Sequence, residues 1–236
     1  MRQLILFLRA VLFYLGYYLG TIVITLVCFI VIWFIPDSKR YLFYSVWCRF
    51  ILSWLRITCG VRHEIQGLDN IPDQAVVVLS NHQSEWETIF LYLYLAPICP
   101  ILKKELLNIP FWGWAMSLQH PIAIDRTKPH EAGKSILTQG MDRIKNGRSV
   151  IIFPEGTRTH VDKVKKFTRG GAKLAIAAGA PILPIAHNAG HCWPPHKMLK
   201  YPGTVQVYVG KPIATDSADA KELTESVETW IRQHIV

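Results

Sequence analysis

The feature that most constrains the fold of this chain is a long uncharged segment near its amino terminus. No Asp, Glu, Lys or Arg occurs between Ala10 and Pro36. As a helix this segment would be about 40 Å long, which exceeds the roughly 30 Å hydrocarbon core of a bilayer. It is too long for the apolar region of a cleaved signal peptide, and no small-residue cleavage site follows it. The sequence therefore predicts a helix that spans the membrane with some tilt.

The segment from Tyr41 to Thr58 is amphipathic. Its polar side chains recur at Ser45, Arg49, Ser53 and Arg56, a spacing that places them on one stripe of a helix. Tryptophan and other large apolar side chains fill the remaining surface. This pattern favours an interfacial helix that forms a hairpin with the first helix. The alternative is a second core helix packed on the soluble part of the chain.

Glycines occur four residues apart in the first helix, at Gly16 and Gly20. Such a pair lets another helix approach closely, although inside an apolar stretch it is often incidental. The spacing alone does not decide between the two interpretations.

The positive charge of the chain is concentrated near the membrane segment. The net charge is +9, and up to Arg62 there are seven basic residues against one acidic residue, Asp37. This distribution favours anionic lipid as the electrostatic partner and argues against nucleic acid. The five cysteines are odd in number and form no Cys-x-x-Cys pair, which is typical of reduced, packed thiols facing the cytosol.

Length and composition limit the domain organisation. The chain has 236 residues, half of them hydrophobic, which suits one globular domain with a membrane element. We divide it into membrane-anchoring helices, residues 1–60, and one catalytic domain, residues 61–236. In the second part strand-like runs alternate with helical segments, so we expect an α/β fold with a mixed, largely parallel sheet flanked by helices. The predicted strands are residues 61–66, 75–79, 121–126, 149–153, 180–186 and 204–209, and the predicted helices are 89–95, 130–145, 170–178 and 217–235, with a further helix beginning at residue 103.

A histidine and two acids follow the buried-looking run at residues 75–79. Ligand sites in open α/β sheets lie at the carboxyl ends of such strands. Five helical positions would not place His82 and Glu87 on one face, so they meet only if His82 precedes a helix and Glu87 lies in its first turn. A carboxylate there would fix the imidazole tautomer and leave the other nitrogen as a general base. Glu85 is the alternative partner.

The same residues also permit a structural interpretation. A polar turn could simply cap the following helix, with Asn81 or Ser84 as the capping residue. Ser84 is not expected to be a nucleophile, because the chain has no Gly-x-Ser-x-Gly elbow.

Two later strands also end in charged residues. Residues 121–126 close on Asp125 and Arg126, and an arginine at a strand end is suited to bind phosphate, although a local ion pair is the alternative. Residues 149–153 are followed by Pro-Glu-Gly-Thr-Arg. The proline ends the strand and the glycine permits a tight turn, so we expect Glu155 and Arg158 to project from the strand end.

These segments resemble, in order, the active-site blocks of the 1-acyl-sn-glycerol-3-phosphate acyltransferase family. Asn-His is followed by four residues and an acid, here Glu87 where family members most often have Asp. The second block is an apolar strand closing on Asp-Arg, the third is matched at every position by residues 153–158, and the fourth is the proline-containing strand at residues 180–186.

The resemblance implies a membrane-bound enzyme that moves an acyl group from acyl-CoA or acyl carrier protein to the sn-2 hydroxyl of lysophosphatidic acid, producing phosphatidic acid for phospholipid biosynthesis. His82 and Glu87 would be catalytic, and the catalytic domain would face the cytosol. No metal or cofactor is implied. The implied substrate-binding residues are Arg126, Glu155, Gly156, Thr157 and Arg158.

Three alternatives remain open at this stage. A membrane-bound thioester or lipid hydrolase could use the same pair to activate water. A non-catalytic lipid-binding protein would not depend on His82. A related acyltransferase could act on another lysolipid, such as a lyso-ornithine lipid.

The basic residues between 163 and 173 are suited to attract an anionic headgroup or acyl carrier. The alternative is that they form a solvated basic face. His187 and His191 have a metal-ligand spacing, but the nearby Pro194 argues against the helix that a zinc site would need.

Overall fold

The structure is a computed structural model that describes residues 1–125, 127–161, 165–216 and 218–235. Its α-helices are α1 Arg2–Val31, α2 Tyr41–Cys59, α3 Trp86–Tyr94, α4 Trp112–Ser117, α5 Pro129–Lys145, α6 Gly170–Ala178 and α7 Ala220–His234. Its strands are β1 Val61–Gln66, β2 Val77–Ser80, β3 Ile98–Lys103, β4 Ile122–Ile124, β5 Ser149–Ile152, β6 Ile182–His187 and β7 Gly203–Val209.

The strands form one seven-stranded sheet in the order β1-β7-β6-β2-β5-β3-β4. All neighbours pair in parallel except β6 and β7, which are antiparallel. The predicted mixed, largely parallel sheet is therefore confirmed. β2 lies between β6 and β5 at the centre of the sheet, so the residues that follow it open onto the middle of the sheet edge.

Helices cover both faces of the sheet. The hydrophobic core on one face is built with α2 and α3, and the core on the other face with α5, α6 and α7. Successive residues of β2 alternate between the two, with Val78 in the first core and Val77 and Leu79 in the second. Every residue of β2 is buried, as expected for a continuous apolar strand covered on both faces.

The two amino-terminal helices form a hairpin in which α1 and α2 pack closely. A Cβ added to Gly16 would lie 2.1 Å from Trp54, and one added to Gly20 would lie 2.2 Å from Phe50. The Trp47 indole N–H donates to the Thr21 hydroxyl at 2.9 Å across the same interface. The two glycines thus permit close helix approach within this chain.

The hairpin is not detached from the rest of the molecule. Ile51 and Leu55 of α2 are fully buried in the same core as α3, whereas Arg49, Ser53 and Arg56 are exposed. The alternative of a core helix therefore describes one face of α2, and the predicted polar stripe forms the other. α1 is long and apolar enough to cross a membrane, and most of its large side chains are exposed.

The sequence interpretation was wrong for residues 103–108, and it did not predict the strand that precedes them. Instead of a helix beginning at residue 103, Lys103 ends strand β3, and only a short 3-10 helix, Lys104–Asn108, follows. β3 pairs with β5 up to Pro100 and with β4 from Ile101 onward. A proline lacks the backbone N–H of a ladder bond and argues against a central strand in the sequence, but here it lies where the strand changes partners.

Candidate active site

His82 lies in the loop that joins the carboxyl end of β2 to α3, and Glu87 is the second residue of α3. β5 pairs with β2 in parallel, so the turn after β5 lies at the same edge of the sheet. The fold therefore brings the histidine together with residues 154–158, although the two segments are far apart in the sequence.

Glu87 is fully buried and accepts three hydrogen bonds on its Oε1 atom. His82 Nδ1 donates at 2.7 Å, and the backbone N–H groups of Gln83 and Ser84 donate at 2.9 Å each. Burial alone would raise the pKa of Glu87, but the charges and hydrogen bonds around it hold that pKa below its usual value. An ionised Glu87 keeps the proton of His82 on Nδ1, so Nε2 carries the free lone pair.

Glu85, the alternative partner of His82, pairs with Arg158 instead. Its Oε1 lies 2.7 Å from Arg158 Nη1, and the side chains are 34% and 27% exposed, respectively. Both residues line the same cavity as His82. Ser84 accepts a hydrogen bond from the backbone N–H of Trp86 at 3.0 Å, so this loop also stabilises the start of α3.

The His82 loop is joined to β6 by reciprocal hydrogen bonds between Asn81 and His187. The Asn81 side-chain amide donates to the backbone carbonyl of His187 at 2.9 Å, and the backbone N–H of His187 donates to Asn81 Oδ1 at 3.1 Å. His187 Nε2 bonds the backbone carbonyl of Asn81 at 2.9 Å. The sequence suggested a helix cap or the Asn-His block for Asn81 but not this contact, because its partner on β6 is remote in the chain.

The ring of His82 stacks on Phe153, with 4.1 Å between ring centroids and 14° between planes. Phe153 directly follows β5, and the sequence predicted it only as the end of that strand and the start of the third block. The stacking restricts movement of the imidazole on one face of the ring, and the bond to Glu87 holds the ring at Nδ1.

Glu155 does not project from the strand end, and that expectation was wrong. Its side chain is 6% exposed. Oε1 accepts the backbone N–H of His82 at 2.9 Å, and Oε2 accepts the hydroxyl of Thr159 at 2.6 Å and the backbone N–H of Lys165 at 3.3 Å. A buried carboxylate needs such partners. The adjacent loop supplies the backbone N–H of His82, a partner that the sequence pattern could not reveal.

The other predicted substrate-binding residues lie on the turn after Glu155 or outside the described residues. Gly156 has a positive φ of 73°, which favours glycine, and it lines the cavity with Arg158. Thr157 is exposed on the same turn. Arg126 lies outside the described residues.

The cavity in front of His82 has a volume of about 560 Å³. Its polar lining includes His82, Lys103 and the Glu85–Arg158 pair. Apolar side chains form most of the remaining wall, namely Ile89, Tyr92, Ile101, Leu102, Met116, Ile124, Ala132, Ile136 and Ile152. The cavity suits a molecule with a polar group and a long apolar chain.

A second groove, of about 410 Å³, runs between α1 and residues 106–112. Tyr17, Trp112 and Arg158 line both this groove and the main cavity. Arg158 therefore lines both an apolar groove beside α1 and the cavity that contains His82.

The residues considered for zinc have other surroundings. His187 is buried and bonds to Asn81. Cys192 is a buried thiol that forms no disulfide, like the other four cysteines. Within residues 1–125, 127–161, 165–216 and 218–235, no group of three or more His, Cys, Asp or Glu side chains is placed to hold a metal ion. In the predicted basic run, Lys166, Arg169 and Lys173 are exposed, and Lys163 lies outside the described residues.

Comparison with known proteins supplies independent information. The sequence model of the family described as Acyltransferase matches residues 62–188. A 1-acyl-sn-glycerol-3-phosphate acyltransferase of Pseudomonas aeruginosa is 44% identical over 230 residues, which cover 96% of this chain and 90% of that protein. The protein of the same name from Saccharomyces cerevisiae is 28% identical over 81% of this chain and 64% of its own length.

The fold is also similar to a solved structure. The crystal structure of the 1-acyl-sn-glycerophosphate acyltransferase from Thermotoga maritima matches with a TM-score of 0.84 at 25% sequence identity. The match covers 100% of this chain and 96% of that chain. The similarity therefore includes the amino-terminal helices as well as the sheet.

Proposed function

The chain belongs to the acyltransferase family, and from this premise we propose that it transfers a fatty acyl group from an acyl thioester to the sn-2 hydroxyl of 1-acyl-sn-glycerol 3-phosphate. The product is phosphatidic acid, and the reaction serves phospholipid biosynthesis. The donor is acyl-CoA or acyl carrier protein. The activity named for the Pseudomonas, yeast and Thermotoga relatives supports this assignment of the acceptor.

The observation that carries the proposal is the hydrogen bond between His82 Nδ1 and Glu87 at 2.7 Å. It fixes the tautomer in which Nε2 is the basic nitrogen, and His82 lines a cavity that also contains Arg158. The same cavity thus contains a base, His82, a cation that could bind phosphate, Arg158, and an apolar wall for an acyl chain. This combination suits deprotonation of a lipid hydroxyl beside a phosphate.

The proposed reaction is a direct transfer. His82 Nε2 takes the proton of the acceptor hydroxyl as its oxygen attacks the thioester carbonyl carbon, and the negative charge of Glu87 stabilises the imidazolium that forms. The tetrahedral intermediate collapses with cleavage of the carbon–sulfur bond, and the imidazolium returns the proton to the leaving thiolate. Ser84 is buried with its hydroxyl accepting the Trp86 N–H, which supports transfer without an acyl-enzyme. This chemistry requires no metal or cofactor.

The acceptor is held through its phosphate and its chain. Arg158 and Arg126 bind the phosphate, and Gly156 and Thr157 shape the turn beside it. The groove between α1 and residues 106–112 receives the existing acyl chain of the acceptor, because it is largely apolar and reaches Arg158. The main cavity receives the donor chain.

The enzyme works at the membrane, with the catalytic domain facing the cytosol. The exposed apolar side chains of α1 support contact with lipid acyl chains, and the basic residues of the amino-terminal part support contact with anionic headgroups. Both the acceptor and the product reside in the bilayer, so an anchored enzyme meets them directly.

The first test measures phosphatidic acid formation from labelled 1-acylglycerol 3-phosphate, with acyl-CoA and acyl carrier protein supplied separately as donors. We expect the wild type to form product with at least one donor and His82→Ala to lose activity while remaining folded. His191→Ala is the matched control, since His191 is exposed and outside the site, and it should retain activity. Full activity of His82→Ala would contradict the proposed base.

The alternatives give different products in the same assay. A hydrolase would release free fatty acid without a lipid acceptor. An acyltransferase for another lysolipid would be inactive with 1-acylglycerol 3-phosphate and active with, for example, lyso-ornithine lipid, and it would tolerate Arg158→Ala. A lipid-binding protein would give no product with any donor.

A further inference from the structure

Glu155 lies where the two loops of the site meet, and it bonds to the loop that carries the base. Its Oε1 accepts the backbone N–H of His82 at 2.9 Å. The connection also runs in the opposite direction, because the backbone N–H of Thr159 donates to the carbonyl of His82 at 2.8 Å. Both backbone polar groups of His82 are therefore held by residues 155–159.

The second oxygen of Glu155 is also occupied. Oε2 accepts the Thr159 hydroxyl at 2.6 Å and the backbone N–H of Lys165 at 3.3 Å. With 6% of the residue exposed and both oxygens bonded within the protein, little of the carboxylate is left for the glycerol of a substrate. Glu155 therefore contributes to the site by holding the loop that carries His82.

We propose that Glu155 is a positioning residue for His82 rather than a ligand of the acyl acceptor. It holds the backbone of the histidine, while Phe153 and Glu87 hold the ring. The inference rests on the proposed function, since it takes His82 as the base. Three side chains together then fix Nε2 relative to the cavity.

The arrangement requires a carboxylate. Three N–H or O–H donors point at the two oxygens of Glu155, and a carboxylate offers acceptors on both sides. A glutamine has one acceptor oxygen and one donor amide, so either orientation of its amide sets a donor against a donor. Glu155→Gln therefore has nearly the same shape but loses at least one of these bonds, so it holds the His82 loop less firmly.

The kinetic test compares Glu155→Gln with Arg158→Ala. A displacement of about 1 Å at a reacting group lowers the rate by about 100-fold, so we expect Glu155→Gln to lower kcat by about 10- to 100-fold while the KM for the acceptor changes by less than about threefold. Arg158→Ala, which removes a proposed phosphate contact, should raise that KM instead. A Glu155→Gln variant with raised KM and unchanged kcat would overturn the inference in favour of acceptor binding.

Thr159 provides a second test if Glu155→Gln does not fold. Thr159→Val removes the hydroxyl that donates to Glu155, and Thr159→Ser keeps it. We expect the valine variant to show the same type of kcat loss, in smaller degree, and the serine variant to match the wild type. Equal kcat values in the two variants would contradict the inference.

Hydrogen exchange separates this inference from the proposed function. The amide of His82, measured without substrate, should exchange at least about tenfold faster in Glu155→Gln and Thr159→Val than in the wild type or Thr159→Ser. Unchanged exchange overturns the positioning role even when acyl transfer is observed. A wild type without acyl transfer to 1-acylglycerol 3-phosphate overturns the proposed function and, with it, the role of Glu155 in that reaction.

Discussion

Glu85 and Arg158 form an ion pair that lines the main cavity, with 2.7 Å between the carboxylate oxygen Oε1 and Nη1. Arg158 also lines both the main cavity and the groove beside α1. In the proposed complex the phosphate of the acceptor approaches an arginine that already has an anionic partner. Binding of the phosphate must then displace or share the carboxylate of Glu85.

We expect Glu85→Gln to lower the KM for the acceptor. Because both side chains are partly exposed, the pair is worth only about 0.2–1 kcal/mol, which corresponds to a decrease in KM of about 1.5- to fivefold. Steady-state kinetics at fixed donor concentration measure it. Glu131→Gln is the matched control, since Glu131 pairs with Lys128 on the exposed start of α5. A raised KM in Glu85→Gln would instead mean that Glu85 orients Arg158 for the phosphate.

We expect Glu87→Gln to lower kcat by about 100-fold or more, because the neutral amide cannot stabilise the imidazolium of His82. The loss should not come from altered geometry, since the Gln oxygen can still accept the bonds from His82, Gln83 and Ser84 that now reach Oε1. Glu87→Asp restores the acid that the resembling family most often has, and it should retain more activity than Glu87→Gln. Equal kcat values for the Asp and Gln variants would show that the charge is not required.

The sequence predicted those parts of the fold and site that depend on local patterns. Continuous apolar runs predicted β2, β5 and β6. The Gly-containing segment after β5 predicted the turn on which Arg158 lies. The approach of His82 and Glu87 also followed from a local argument, because a loop before a helix and the first turn of that helix are close in space.

The remaining features depend on contacts between distant segments. β3 was missed because Pro100 normally argues against a central strand, and only the sheet shows that the strand changes partners there. Glu155 was expected to project because nothing in its own block reveals the backbone N–H of His82. Likewise Glu85 was considered for His82 alone, because its true partner, Arg158, comes from a different loop.

We expect two glycines of α5 to respond oppositely to substitution by alanine. A Cβ at Gly140 would lie 2.7 Å from the side chain of Leu174, which is fully buried in α6, whereas a Cβ at Gly133 meets nothing within 4 Å. Gly140→Ala should therefore destabilise the protein by about 1–3 kcal/mol through overpacking. Gly133→Ala should stabilise it by up to about 1 kcal/mol through helix propensity. Thermal unfolding midpoints in one detergent test the pair, and shifts of the same sign would contradict the close packing of α5 on α6.

The stability of the folded protein below neutral pH should depend in part on the buried His187. Burial lowers the pKa of His187, and its ring already uses both nitrogens. Nε2 bonds the carbonyl of Asn81 at 2.9 Å, and Nδ1 accepts the backbone N–H of Ala189 at 3.3 Å. Protonation of Nδ1 would set two donors against each other, so the folded state favours the neutral ring.

The sign of the effect follows from where each state binds the proton. Above about pH 6.5, the usual pKa of histidine, His187 is neutral in both states and contributes no pH dependence. As the pH falls below that value, the unfolded chain takes up a proton that the folded protein refuses, so stability decreases until the lower folded pKa is reached. The limiting slope is about 1.4 kcal/mol per pH unit. Burial and the nearby Arg56 lower the pKa of His63 as well, so His63 adds a contribution of the same sign.

We therefore expect unfolding free energies measured between pH 7.5 and 5 to decline less steeply in His187→Gln than in the wild type, since glutamine does not titrate. His63→Gln measures the second contribution separately, and His191→Gln, at an exposed position, should leave the slope unchanged. Burial lowers the pKa of His187 and the nearby charge of Glu87 opposes that effect, but the net shift is downward. Glu87 itself, with a lowered pKa, loses its stabilising contribution only below about pH 4.3. If His187→Gln declines as steeply as the wild type, His187 is protonated in the folded protein and the bond from Ala189 to Nδ1 is not formed.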